Sequence, residues 1–194
     1  MEIITLGSKS PRRLEILEKL GMKVVVKPPN IIETFDDNLS VEENAIKISL
    51  DKLENVKTAN PEDPWVVTAD TFISINESIL GKPKDRLEAK NMLEMLSGKS
   101  HKVVTGVSLY SKKQNKTVSK SDITIVKFKK LTKNEINFYL SLNEWKDAAG
   151  AYKIQETGEI LIDSINGSYS SVMGLPISSI YGMFVSLNFI YPVI

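Results

Sequence analysis

Three helix starts, each set between β-prone runs, constrain this chain more than any other feature of its sequence. Ser40-Val-Glu-Glu43, Asp85-Arg-Leu-Glu88 and Thr132-Lys-Asn-Glu135 each place a capping side chain three residues before a glutamate. At that spacing the two side chains satisfy each other's orphan backbone N–H groups. A fourth start, Ser10-Pro11, puts a cap before a residue suited to the first helical position, and Gly21 suits the stop. The helix opened at Ser40 should run to about Lys57. Leu14, Leu17 and Leu20 with Ile16, and Leu87, Met92, Leu93 and Leu96 before Ser97-Gly98, form the expected apolar stripes. Strand-like runs lie at 2–6, 24–26, 65–69, 72–75, 103–110, 117–128, 151–155 and 159–165, with Asn76-Glu77 expected to turn the chain back. The pair around the polar turn 112–116 alternates with period two and reads as a long hairpin. From Ser168 onward the pattern is helical. Helices interleaved with strands, with at least one antiparallel hairpin, predict an α/β fold, a mixed β-sheet with flanking helices, as one large domain or two tight lobes over 1–194.

Composition narrows the chemistry. With no cysteine and a single histidine, His101, the chain has no thiol nucleophile, no thiolate zinc site and no multi-histidine metal site. A metal here is expected to be a hard cation held by carboxylates and phosphate, Mg²⁺ or Mn²⁺. The net charge of +1 and the lack of alternating aromatics and bases speak against a nucleic-acid polymer as partner. Residues 1–7 lack the basic start of a signal peptide. The uncharged stretch after Asp163 carries prolines, and Ser178, Gly182 and Ser186 lie along one helix face. A packed amphipathic helix is expected there, no membrane span, and a cytoplasmic protein.

Arg12 and Arg13 occupy a helix's first turn, where the dipole disfavours cations by roughly 0.3–1 kcal/mol each. An anion bound there would reverse the penalty, with Ser8, Ser10 and free N–H groups converging on it. A solvated arginine pair fits the spacing equally. Asp70 ends an apolar strand, where a carboxylate is presented for metal binding or proton transfer; a turn aspartate bonded to nearby backbone is the competing reading. Pro83 restricts Lys82 to extended geometry, which suits a fixed phosphate contact, although a loop lysine is usually solvated. Glu33 is a candidate partner carboxylate for a metal, and Lys52 lies on a helix face where lysines are normally solvated. Gly98-Lys99-Ser100 imitates the end of a phosphate loop, but Leu93 stands where its earlier glycine is required. His101 reads as structural.

Ser8-Lys-Ser-Pro-Arg-Arg13, Ala69-Asp-Thr71, Gly81-Lys-Pro83 and Leu96-Ser-Gly98 with His101 and Thr105-Gly106 follow one another in an order that resembles the Maf family of nucleotide pyrophosphatases. Glu144-Trp145, Ala149-Gly-Ala-Tyr152, Gln155, Gly167-Ser-Tyr169 and Gly174-Leu-Pro176 continue the resemblance over nearly the whole chain. It implies two lobes around a deep nucleotide cleft, a homodimer, and metal-dependent hydrolysis of a nucleoside triphosphate to monophosphate and pyrophosphate. Carried over by position, Asp70 would accept the proton and, with Glu33, bind metal. Ser8, Arg12, Arg13, Lys52 and Lys82 would hold phosphates, and Arg12, Thr71 and Gln155 would discriminate substrate. Gln155 can donate and accept at once, as a pyrimidine imide edge requires; this resembles the subfamily acting on dTTP and UTP. Ala148, Glu156 and Leu53 stand where that subfamily commonly has Lys, Gly and Ala, departures that bear on base preference more than on phosphate cleavage. A non-enzymatic, nucleotide-binding regulator of cell division is the alternative reading.

Overall fold

A computed structural model describes residues 2–76 and 78–191. The elements are β1 (Ile3–Leu6), α1 (Pro11–Lys19), β2 (Lys23–Val26), α2 (Val41–Ala59), β3 (Trp65–Ile75), β4 (Ser78–Leu80), α3 (Arg86–Leu96), β5 (Ser100–Ser111), β6 (Lys116–Phe128), α4 (Lys133–Ser141), β7 (Ile162–Asn166), α5 (Tyr169–Val172) and α6 (Ile177–Ser186). The strands form one seven-stranded sheet of order β2-β1-β3-β5-β6-β7, with β4 paired to β3. β1 runs parallel to β2 and β3, whereas β3–β4 and β6–β7 are antiparallel, so the sheet is mixed. Among the described residues no helix is long and apolar enough to cross a membrane.

The chain divides into two compact units. The first comprises the chain up to Asp70, Thr105–Asp122 and the chain from Gly174 on. Buried in it are Ile4 and Leu6 of β1, Ile16 and Leu17 of α1, Ala45 and Ile48 of α2, and Ile180 and Phe184 of α6, while Leu53 and Val56 of α2 cluster with Val66 of β3. Two contacts fix α2 in place. Gly106 on β5 lets the α2 backbone approach so closely that a Cβ there would sit 2.1 Å from the Ala45 carbonyl oxygen. A buried hydroxyl relay also holds it: Ser49 Oγ and Ser108 Oγ lie 2.7 Å apart, and Ser108 Oγ is 2.9 Å from Ser119 Oγ. Trp65, Phe184 and Phe189 pack ring against ring at 4.7–5.5 Å and lock α6 to β3.

The second unit, Thr71–Val104 with Ile123–Met173, has its own core. Met92, Leu93 and Leu96 of α3, Ile136, Tyr139 and Leu140 of α4, Phe128, Trp145 and Tyr152 are its large members. His101 is buried within it, Nε2 2.8 Å from the Tyr152 hydroxyl and edge-on to Phe128. That is the structural role its sequence position suggests. Burial holds the imidazole down at about 4, from 6.5. The folded state therefore keeps His101 neutral, while the unfolded chain takes up a proton below 6.5. Stability is fully present above 6.5 and falls as pH drops from 6.5 towards 4, by roughly 3 kcal/mol at 1.4 kcal/mol per unit. His101→Gln should flatten the melting temperature over that window; an unchanged slope would remove His101 as its source.

Several expectations need correction. Trp65–Ile75 is one unbroken strand, so Asp70 lies in its middle and not at a carboxyl end. Residues 151–155 form no strand: Ala149–Ala151 is a 3-10 turn, with Gly150 and Ala151 at φ +67° and +63°. The 159–165 run begins as a 3-10 helix, Thr157–Leu161, before β7. Leu87 is exposed, and Ala89 takes its place in the buried α3 stripe. β5 is buried continuously from Val103 to Leu109 and does not alternate. At the turn before β4, Asn76 adopts φ +47°, and Glu77 lies outside the described residues.

Candidate active site

The site is built where β1 hands the chain to α1 alongside β3. Leu6 pairs with Val67, and the Gly7 N–H donates to the Val67 carbonyl at 2.8 Å. A side chain at Gly7 would meet the Thr68 methyl at 2.6 Å, so glycine lets the chain leave the sheet close to β3. Two residues beyond Thr68 on the same strand face stands Asp70. The Thr68 hydroxyl donates to the Ser49 carbonyl of α2 at 2.6 Å. One helical turn past Ser49, Lys52 is thereby set towards Asp70.

The resulting ion cluster is tight. Lys52 Nζ donates to Asp70 Oδ1 at 2.6 Å and lies 2.9 Å from Glu33 Oε1. Lys52 is 6% exposed, which corrects the expectation of a solvated helix-face lysine. A buried charge is costly without partners, and two carboxylates provide them. Glu33 sits in the loop 27–40, which α2 holds by side-chain bonds: Asn55 accepts from the Asn30 N–H, and Asn44 both accepts from the Asp36 N–H and donates to the Asp36 carbonyl.

Arg13 is also buried, at 9% exposed, so it is no solvated partner of Arg12. Its Nη1 donates to Ser8 Oγ at 3.0 Å and its Nε to the Gly174 carbonyl at 2.8 Å. The Ser10 N–H donates to the same Ser8 oxygen at 3.2 Å. With two bonds accepted, the Ser8 hydroxyl has its own proton to donate. Ser10 caps α1 by backbone geometry and not by its side chain. Burial pushes the Arg13 guanidinium below its ordinary value, the Asp70 charge pulls it back up, Arg12 lowers it and Glu33 raises it. Arg12, Arg13, Lys52, Glu33 and Asp70 thus form one electrostatic group, three cations against two anions.

Thr71, Lys82 and Gln155 belong to the second unit. Thr71 is half-buried and, by strand alternation, on the face opposite Asp70. Lys82 is exposed with Asp147 Oδ1 at 3.9 Å. Gln155 is half-buried in the turn 154–156, and the neighbouring Glu156 carboxylate is 3.7 Å from Lys153 Nζ. Gly174 was not among the residues expected at the site, although the Gly174-Leu-Pro176 motif marked its position.

Glu33 Oε1 and Asp70 Oδ1 converge on the Lys52 ammonium, which fills the point between them, so a hard divalent cation would be held by the other oxygens of these two carboxylates. Among the described residues no group of three or more Asp, Glu or His gathers at one point. Two carboxylates completed by phosphate and water suit Mg²⁺ or Mn²⁺, and the residues fit such an ion.

The fold is that of the Ham1 proteins. The Ham1 structure from Coxiella burnetii superposes with a TM-score of 0.56 at 15% identity, over 96% of this chain and 100% of that one. The Staphylococcus aureus Ham1 protein gives 0.54 at 12% identity, with the same shares covered. Within that fold the chain belongs to the Maf family, whose model, described as Maf-like protein, matches residues 3–187. Among curated relatives, a protein of Pyrococcus furiosus named dTTP/UTP pyrophosphatase is 44% identical over 91% of both chains. One of the same name from Clostridioides difficile is 38% identical over 98% of this chain and 99% of that one.

Proposed function

We propose that this protein hydrolyses nucleoside triphosphates, dTTP and UTP foremost, to the monophosphate and pyrophosphate. The observation that carries the reading is the buried Lys52 bridging Glu33 and Asp70 within one charge group with Arg12 and Arg13. A net positive group, with Arg13, Lys52 and Asp70 buried and a proton-accepting carboxylate among them, answers what phosphoryl chemistry asks for, positioning and charge neutralisation. Relatives named for this activity, at 38–44% identity over almost the whole chain, support it.

Arg13 and the Ser8 hydroxyl donate to phosphate oxygens, with Arg12 and Lys82 adding charge. Asp70 takes a proton from water as the water oxygen bonds to the α-phosphorus. The bond from that phosphorus to the α–β bridging oxygen breaks, and pyrophosphate leaves. Lys52 orients the Asp70 carboxylate through Oδ1 and neutralises charge on the phosphates. Glu33 and Asp70 would hold a divalent cation, which supplies further neutralisation of phosphate charge. Gln155 and Thr71 select the base. Such a substrate belongs to the cytoplasm.

The test is pyrophosphate release from dTTP, UTP, CTP, GTP, ATP and 7-methyl-GTP with Mg²⁺, Mn²⁺ or chelator. Release from dTTP and UTP that chelator abolishes is expected. Release from another base keeps the chemistry and moves attention to Ala148 and Glu156, and no release from any nucleotide overturns the assignment. A homodimer is proposed as the working form. Exposed Ile177, Tyr181 and Val185 recur every four residues on α6, an apolar stripe suited to a second copy. Tyr181→Glu should shift the mass measured by light scattering to that of a monomer. A monomeric wild type would end the proposal.

A further inference from the structure

We propose that Gly174 is a positioning residue for triphosphate binding, acting through its backbone carbonyl on Arg13. The proposal rests on the reading of Arg13 as a phosphate-holding group. Gly174 has φ +107°, a conformation that costs any residue with a Cβ. In that conformation its carbonyl accepts from Arg13 Nε at 2.8 Å. The carbonyl is held by the chain that follows it. Leu175 is fully buried, and Pro176 begins α6, accepting from the Ile180 N–H at 2.9 Å, while Ile180 and Phe184 anchor the helix in the core.

A guanidinium is planar and rigid, so two bonds from different nitrogens fix its plane as well as its position. Gly174 takes Nε and Ser8 takes Nη1. The Gly174 carbonyl therefore adds to the Ser8 bond a second acceptor, on a different nitrogen, that helps to set the plane. A lysine at this position, lacking Nε, could keep the charge but not the orientation. Neither Gly174 nor its neighbours carry a charge, so the residue's contribution is geometric and passes through Arg13.

The experiment is a double-mutant cycle on dTTP hydrolysis. Gly174→Ala in the wild type should raise KM about tenfold with a smaller change in kcat, the size of one lost bond to a charged group. In an Arg13→Ala background the same substitution should change KM by less than about twofold, because the partner it positions is gone. Guanidinium ion at millimolar concentration should restore part of the Arg13→Ala activity, and less of it when Gly174 is also alanine. Equal losses in both backgrounds, or equal rescue, would make Gly174 merely structural and overturn the proposal. Should Gly174→Ala not fold, Arg13→Lys takes its place: a raised KM supports the role of Nε, and a wild-type KM overturns it. A wild type that releases no pyrophosphate removes the functional reading and this proposal with it, whereas additive losses in an active enzyme remove the proposal alone.

Discussion

Asp70→Asn is expected to fold, bind nucleotide and release almost no pyrophosphate. The amide oxygen can still accept from Lys52 Nζ, now 2.6 Å from Asp70 Oδ1, and Glu33 remains 2.9 Å from the same ammonium. The buried lysine therefore keeps partners, and the melting temperature should fall by only a few degrees, about 2–4 °C per kcal/mol for a chain of this size. An amide cannot take the proton from attacking water. The loss expected on removing a general base is about 10²–10⁴-fold in kcat. Wild-type turnover in a folded Asp70→Asn protein would move the base to another group, and Glu33 would be the first to test.

The second large effect is on stability. Gly106→Ala places a Cβ 2.1 Å from the Ala45 carbonyl oxygen, 2.2 Å from its carbon and 2.7 Å from the Ile46 nitrogen. All three are backbone atoms of α2, so no side-chain rotation relieves the clash and the helix must move. Overpacking typically costs about 1–3 kcal/mol, occasionally more, and a backbone-only clash belongs at or beyond the upper end. Because α2 carries Lys52, a fall in the urea midpoint should be accompanied by a fall in pyrophosphate release. A variant that unfolds at the wild-type midpoint would show that β5 and α2 have room to separate.

What was legible in the sequence was mostly local. The starts of α2 and α4 were, because a capping box is complete within four residues, and both close reciprocally. At α3 the cap Asp85 accepts from the Glu88 N–H, but the Glu88 carboxylate reaches past it to the Lys84 N–H, a choice between adjacent donors that spacing does not decide. The arginines were legible as a broken electrostatic rule at a helix start. The unbroken β3 was not: Asp-Thr looks like the end of a strand until Lys52 is known to sit beside Asp70. That partner comes from a helix 18 residues earlier. Lys52 looked solvated for the same reason, since helical periodicity does not see a carboxylate in the loop 27–40. Residues 151–155 alternate like a strand, yet Ala151, Tyr152 and Ile154 enter the core from irregular chain. Tertiary burial there overrides the local pattern.

The proposed role of the Arg13–Gly174 bond has a consequence for when a newly made molecule can begin to work. Its partners lie 161 residues apart, about 10–30 s of synthesis at 5–20 residues per second. In the later part of that interval, once Asp70 is made, the ribosome carries a chain that has Ser8, Arg13, Lys52 and Asp70 but lacks the carbonyl that accepts from Arg13 Nε. On the proposed roles of Arg13 and Gly174, competence to capture triphosphate arrives late in translation, and a message cut short before Gly174 yields a chain without the acceptor for Arg13 Nε.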